Sequence, residues 1–248
     1  MKILLLFLAL FLSPLAHAQS KIELNESNHL VLRGEVNEIS AAKLIHQIST
    51  SKSNEVLLFI DSPGGSVLAG LRIINIIENS GKKVTCIASH AASMAFAILQ
   101  SCQKRYVLED TIIMQHVMSY SLNGREPNNF QLANLLHKIN VFMDKKQAKR
   151  IGLSYEEFRD KVRDDWWLFG DDAVKNNAAD AVVKVNCTDS LSEKLTKEVV
   201  QLQFTTVTLE WSGCPLNSAP VNVTQVKLSP LVSDLQAAEE LKEFLASR

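Results

Sequence analysis

The stretch from Glu55 to Ile77 constrains the fold most. Glu55 to Ile60 reads Glu-Val-Leu-Leu-Phe-Ile, a short apolar run that ends in the turn residues Asp61-Ser62-Pro63-Gly64-Gly65. Such a run reads as a strand. From Val67 to Ile77 the apolar residues Leu68, Leu71, Ile74 and Ile77 recur at helical spacing until Gly81 stops them. The same unit then repeats, with Val84 to Ala88 as a strand and Ala91 to Leu99 as a helical run. Strand, helix and strand in that order predict parallel strands joined by crossover helices, hence an α/β core. Leu30 to Leu32 supplies a further strand, and Ile39 to Ile48 a helix through Ala42, Leu44, Ile45 and Ile48. Tyr106 to Leu108 and Thr111 to Gln115 read as two short strands around a turn at Glu109-Asp110. With 26 Lys and Arg against 27 Asp and Glu, the chain is neither a polybasic nucleic-acid binder nor an acidic tail protein, and no nucleic-acid partner is expected. A hydrophobic share of 46% excludes a disordered chain.

Both ends depart from this pattern. Met1-Lys2, the apolar run Ile3 to Leu12 and the small-residue pattern Ala16-His17-Ala18 read as a secretory signal peptide over residues 1–18, cut after Ala18. The run has about ten residues where a spanning helix needs about twenty, so no stable membrane anchor is expected. An exported chain, periplasmic or secreted, carries Cys86, Cys102, Cys187 and Cys214 into an oxidising compartment. No spacing among them is a CxxC pair, so no metal is expected; the pairs nearest in sequence, Cys86–Cys102 and Cys187–Cys214, are the favoured disulfides, with a buried Cys86 thiol as the alternative. Asn128 to Lys149 is a long helical stretch, too apolar for solvent all round, and is expected to pack outside the core, against another copy of the chain for instance. Thr205 to Trp211 alternates like a strand, and Ser233 with Gln236 gives the last helix a capping-box spacing.

Three features bear on chemistry. Ser62-Pro63-Gly64-Gly65 after a strand offers free backbone N–H groups for an oxyanion, or is a tight turn and nothing more. In Ala91-Ala92-Ser93-Met94-Ala95, Ser93 stands where a strand gives way to a helix, in the field of the helix N-terminus; a plain N-cap would look the same. His116 leaves an apolar strand and could act as a general base, with Asp164-Asp165 as carboxylates to orient it. On composition alone His46, His90 and His137 qualify equally.

The order of these features resembles the proteolytic subunit of the Clp protease, a serine peptidase of the Clp/crotonase fold. The resemblance runs from about Leu30 to Val183. It rests on Leu57-Leu58-Phe59-Ile60-Asp61-Ser62-Pro63-Gly64-Gly65, Ala69-Gly70, Ala91-Ala92-Ser93-Met94, Lys104-Arg105-Tyr106, Ile113-Met114-Gln115-His116, and Asp165 ahead of Asp172-Ala173-Val174. It implies Ser93 as nucleophile, His116 as base, Asp165 rather than Asp164 as the acidic member, and Gly65 and Met94 as oxyanion donors, with no cofactor. It further implies a Clp/crotonase-like ββα-superhelix over residues 19–185, with Asn128–Lys149 as a protruding handle helix, leaving residues 186–248 as a C-terminal extension without a counterpart.

Departures from that pattern shape the expected function. Val117-Met118-Ser119-Tyr120-Ser121 lacks the Pro and paired Gly of the family's substrate-binding strand, and Ser89-His90 replaces a usual Gly-Gln, so that His90 could crowd or polarise the site. An exported chain meets neither the cytoplasmic unfoldase nor ATP. The expectation is therefore an ATP-independent serine-type endopeptidase, a homo-oligomer, acting on peptides or unfolded proteins. The alternatives are a catalytically silent scaffold or binding protein of the same fold, and a signal-peptide-peptidase-like hydrolase whose base is a Lys.

Overall fold

A computed structural model describes residues 21–246. The expected signal peptide lies outside the described residues. Strands β1 (Lys21–Leu24) and β2 (His29–Arg33) lead to helix α1 (Glu38–Thr50), β3 (Glu55–Ser62), α2 (Val67–Asn79), β4 (Lys83–Ala92), α3 (Met94–Ser101) and β5 (Lys104–Gln115). The long α4 (Glu126–Ile151), α5 (Tyr155–Val162), β6 (Trp166–Phe169), α6 (Asp172–Lys175), β7 (Ala181–Val182) and β8 (Lys184–Cys187) follow. The chain continues through α7 (Asp189–Glu193), β9 (Leu195–Gln201), β10 (Thr205–Ser212), β11 (Asn222–Lys227) and α8 (Asp234–Ala246).

The main sheet runs β2-β3-β4-β5-β6, with β7 added on β5. β2 to β5 are mutually parallel, and β6 returns antiparallel along the end of β5, pairing Ile112 with Phe169 and Gln115 with Trp166. One face of this sheet buries Leu58, Ile60, Cys86 and Ala88 beneath α1, α2 and α3. The other buries Phe59 and Ile87 with Leu24, Val183 and Leu191. A strand covered on both faces needs apolar side chains in both directions, which is why β3 is a run rather than an alternation.

Two boundaries differ from the sequence reading. β4 continues to Ala92, so α3 opens at Met94 and not at Ala91. The two short strands around Glu109-Asp110 are one strand, β5. The reason is that β5 changes register against β4 between Ala88 and His90 and so absorbs Glu109 and Asp110 without ending. Thr111 makes that possible: its hydroxyl donates to Ala88 O at 2.6 Å and accepts the Leu108 N–H at 2.7 Å.

α4 is buried only near its C-terminus, at Met143, Asp144, Gln147, Ala148 and Ile151. Its N-terminal half protrudes, with Phe130 66% and Leu135 54% exposed. Beyond β8, which pairs in parallel with β1, strands β9 to β11 form a separate antiparallel sheet. Helix α8 packs on it through Ala237, and opens with the expected capping box between Ser233 and Gln236. This extension holds the body through Arg33, whose guanidinium lies 5.6 Å from the Trp211 ring and donates to Pro215 O at 2.5 Å. Disulfides join Cys86 to Cys102 and Cys187 to Cys214; Cys86 is also buried in the core. No described helix is long and apolar enough to cross a membrane.

Candidate active site

The carboxyl ends of β3, β4 and β5 meet at one cleft of about 100 Å³. Ser93 fills the single position between β4 and α3. Its backbone sits at φ 54 and ψ −118, a conformation that a non-glycine residue adopts only when the surroundings impose it, at a cost of about 1–3 kcal/mol. Buried neighbours impose it here. Ala92 and Met94 are each 4% exposed, the Ser93 N–H donates to Met114 O at 2.8 Å, and Ala97 N–H closes the first helical turn onto Ser93 O at 3.2 Å. Ser93 is therefore the residue before the helix, yet it makes no side-chain cap. Its hydroxyl is used elsewhere: Oγ lies 2.7 Å from His116 Nε2.

His116 is set by the end of β5. Its N–H donates to the Gln115 side chain at 3.1 Å, Gln115 donates to Gln147 at 2.5 Å, and Gln147 donates to Met143 O at 3.2 Å. The strand carrying the imidazole is thus tied to α4. With its proton on Nδ1, Nε2 accepts from the Ser93 hydroxyl, the arrangement that a general base requires.

Two glycines are dictated by the site. Gly64 adopts φ 94, and a Cβ there would stand 2.5 Å from Ala92 O and 2.8 Å from Met94 N. Gly70 on α2 lies so close to Met94 that a Cβ would fall within 2.3 Å of its side chain. Both keep the start of α3 pressed against the turn after β3. Gly65 and Met94 line the cleft together, and the Met94 N–H, at the first position of α3, has no helical acceptor.

The acidic residues fall in a different place. The β5–β6 pairing ends at Gln115↔Trp166, so His116 and Asp165 are the residues that flank its last pair. The Asp165 side chain is nevertheless exposed, its backbone is at φ 57, and among the described residues it makes no hydrogen bond to His116. Asp164 is 85% exposed at its side chain and pairs with Arg163 at 3.6 Å. His90 lies within β4 and outside the cleft lining, so it does not crowd the site; His46 and His137 also lie outside it.

Sequence reading missed the polar side of the cleft. Asn140, Asp144 and Gln147 project into it from α4 at helical i, i+4, i+7 spacing, a pattern obscured by the apolar residues of the same helix. The Asp144 side chain is 5% exposed, and its Oδ2 accepts from Arg159 at 2.9 Å and from Asn140 at 3.1 Å. Burial pushes its carboxyl above the ordinary carboxylate range, although Arg159 and Asn140 pull the other way. No group of His, Cys, Asp and Glu among the described residues is placed to hold a metal.

A family model described as Clp protease matches residues 16–186. The ATP-dependent Clp protease proteolytic subunit of Borrelia garinii subsp. bavariensis is 26% identical over 162 residues, covering 62% of this chain and 83% of that protein. Subunit 2 from Prochlorococcus marinus is 30% identical over 162 residues, covering 62% of this chain and 81% of that protein. Subunit 1 from Borreliella burgdorferi is 26% identical over the same length.

Proposed function

Because this chain belongs to the Clp protease family, a family of serine peptidases with the Clp/crotonase-like fold, we propose that it is a serine-type endopeptidase working through Ser93, His116 and Asp165. The observation that carries the reading is the 2.7 Å approach of Ser93 Oγ to His116 Nε2 across a strained strand-to-helix turn. As Oγ attacks the scissile carbonyl, His116 takes its proton and then delivers it to the leaving amine. The N–H groups of Gly65 and Met94 stabilise the tetrahedral oxyanion, each worth about 2.7–4 kcal/mol in the transition state. Water completes the cycle by hydrolysing the acyl-enzyme with His116 as base again. Asp165, which like His116 flanks the last β5–β6 pair, accepts from Nδ1–H once its exposed side chain turns inward, and so stabilises the imidazolium. No step needs a metal or an organic cofactor.

The substrate is a peptide or an unfolded chain, and the enzyme assembles as a homo-oligomer and works without ATP or an unfoldase. The exposed apolar residues of the protruding half of α4 support assembly. Export to the periplasm or medium is supported by the apolar leader and by the two cystine pairs.

Labelling with a serine-directed fluorophosphonate tests the reading. Wild type is expected to label at Ser93, and Ser93→Ala not to label. A folded wild type that resists labelling would make the chain a silent scaffold of the fold. A His116→Ala variant that keeps full activity would point to another base. Export is tested by intact mass of the protein from the periplasm or medium, which is expected to begin at Gln19.

A further inference from the structure

The cleft beside Ser93 has two unlike walls. Val67, Met94, Ala97 and Met143 make it apolar, whereas Asn140 and Asp144 make the side contributed by α4 polar. When a substrate carbonyl stands at Ser93 Oγ, the side chain of the residue that carries it (P1) has this cleft as its nearest space. The hydrogen-bond accounting of the polar side decides what fits. The two Gln side chains nearby are occupied with one another, since Gln115 donates to Gln147 and Gln147 to Met143 O. Both bonds onto Asp144 fall on Oδ2, and the Asn140 amide N–H is one of them. On the α4 side the acceptors that remain are Asp144 Oδ1 and Asn140 Oδ1. Neither is a sealed atom without a partner, and both residues line the cleft.

We propose that Asp144 and Asn140 select substrates whose P1 side chain ends in an N–H donor, a carboxamide or an ammonium group, over aliphatic ones. The proposal rests on the serine-peptidase reading above and names the substrate class of that same site. Arg159 already balances the Asp144 charge, so what the cleft presents is acceptors. A donor-tipped side chain runs its methylenes along Met94, Ala97 and Met143 and satisfies the acceptors at its end. An aliphatic side chain covers the same acceptors and satisfies neither, the mismatch that gives polar pockets their discrimination.

The test is a set of peptidyl-coumarin amides identical except at P1, carrying Gln, Lys, Leu or Met, assayed on wild type, Asp144→Leu and the isosteric Asp144→Asn. Wild type is expected to show kcat/KM for Gln or Lys at least about tenfold above Leu. Asp144→Leu is expected to reverse that order, and Asp144→Asn to lower the Lys rate more than the Gln rate. Gln above Lys assigns the selection to neutral donors, and Lys above Gln to the carboxylate charge; either supports the proposal. A wild-type preference for Leu or Met overturns it, as does a Gln to Leu ratio that stays within twofold in both variants. Should Asp144→Leu fail to fold, the wild-type order and Asp144→Asn decide. Fluorophosphonate labelling at Ser93 keeps the two readings apart. Labelling with a flat or aliphatic P1 profile removes only this proposal, whereas no labelling and no turnover removes the peptidase reading itself.

Discussion

Ser93 and Asp165 share an unusual backbone, with φ at 54 and 57, and both stand at the edge of a strand, yet one is locked and the other is loose. Ser93 is held between buried residues, its N–H bonded to β5 and its hydroxyl to His116. Asp165 turns the chain from α5 into β6, and its side chain is exposed to solvent. A positive φ enclosed by packing fixes a side chain, whereas the same φ in a surface turn only steers the backbone. In the proposed mechanism, therefore, the nucleophile and base are preorganised and the carboxylate has to be recruited.

The largest effects should fall on the locked side. Ser93→Ala and His116→Ala are each expected to lower kcat by about 10⁶, since either half of the pair is useless alone. Asp165→Ala is expected to cost about 10⁴ or less, because the hydroxyl–imidazole bond forms without it. Equal losses for His116→Ala and Asp165→Ala in single-turnover kinetics would break the contrast. Gly64→Ala, with its Cβ 2.5 Å from Ala92 O, should shift the start of α3 and lower kcat by about 10²–10³ with KM little changed, the signature of a displaced oxyanion donor. Replacing Cys86 and Cys102 by Ser together removes a tie between β4 and the end of α3, 16 residues apart in sequence. Loss of about 3 kcal/mol is expected in denaturant unfolding, and the same change at Cys187 and Cys214 should leave kcat unaltered.

The smallest effect concerns pH. Burial raises the Asp180 carboxyl, but hydrogen bonds and charge from Arg105, with the charge of Arg150, outweigh it and hold it below the ordinary carboxylate range. A carboxylate depressed on folding contributes stability above its unfolded value and loses it as pH falls through the folded one. Asp180 anchors the buried Arg105, which also binds Gln100 of α3 at 2.7 Å, and so braces the serine side from behind. Asp180→Asn is expected to lower Tm near neutral pH, with the gap to wild type closing as pH drops from about 5 to about 2.

Much of the body was legible in the sequence because its signals are local. β3, α2 and the turn between them follow from an apolar run, a helical period and paired glycines, and the last helix from its capping residues. β5 was misjudged because Glu109-Asp110 reads as a turn, while a register change against β4 kept the strand continuous. The start of α3 was misjudged because Ala91 and Ala92 suit a helix by themselves but are held in the sheet by pairing with Ile113 and Met114. In the site, Ser93, His116 and Asp165 were named from their places along the chain. Asn140 and Asp144 were not, because only the packing of α4 beside Ser93 gives them a role.

The sequence alone determined the alternation of strands and helices from β2 to α3, the glycine turn after β3 and the candidate side chains for acyl transfer. These depend on backbone sterics and on periods of two to four residues. Tertiary structure decided which of those side chains meet. The Ser93 hydroxyl finds His116, 23 residues away in sequence, because β4 and β5 are neighbours, and Asp144 joins them because α4 returns to the sheet. Such contacts depend on closing long loops around a shared core, which no local pattern encodes.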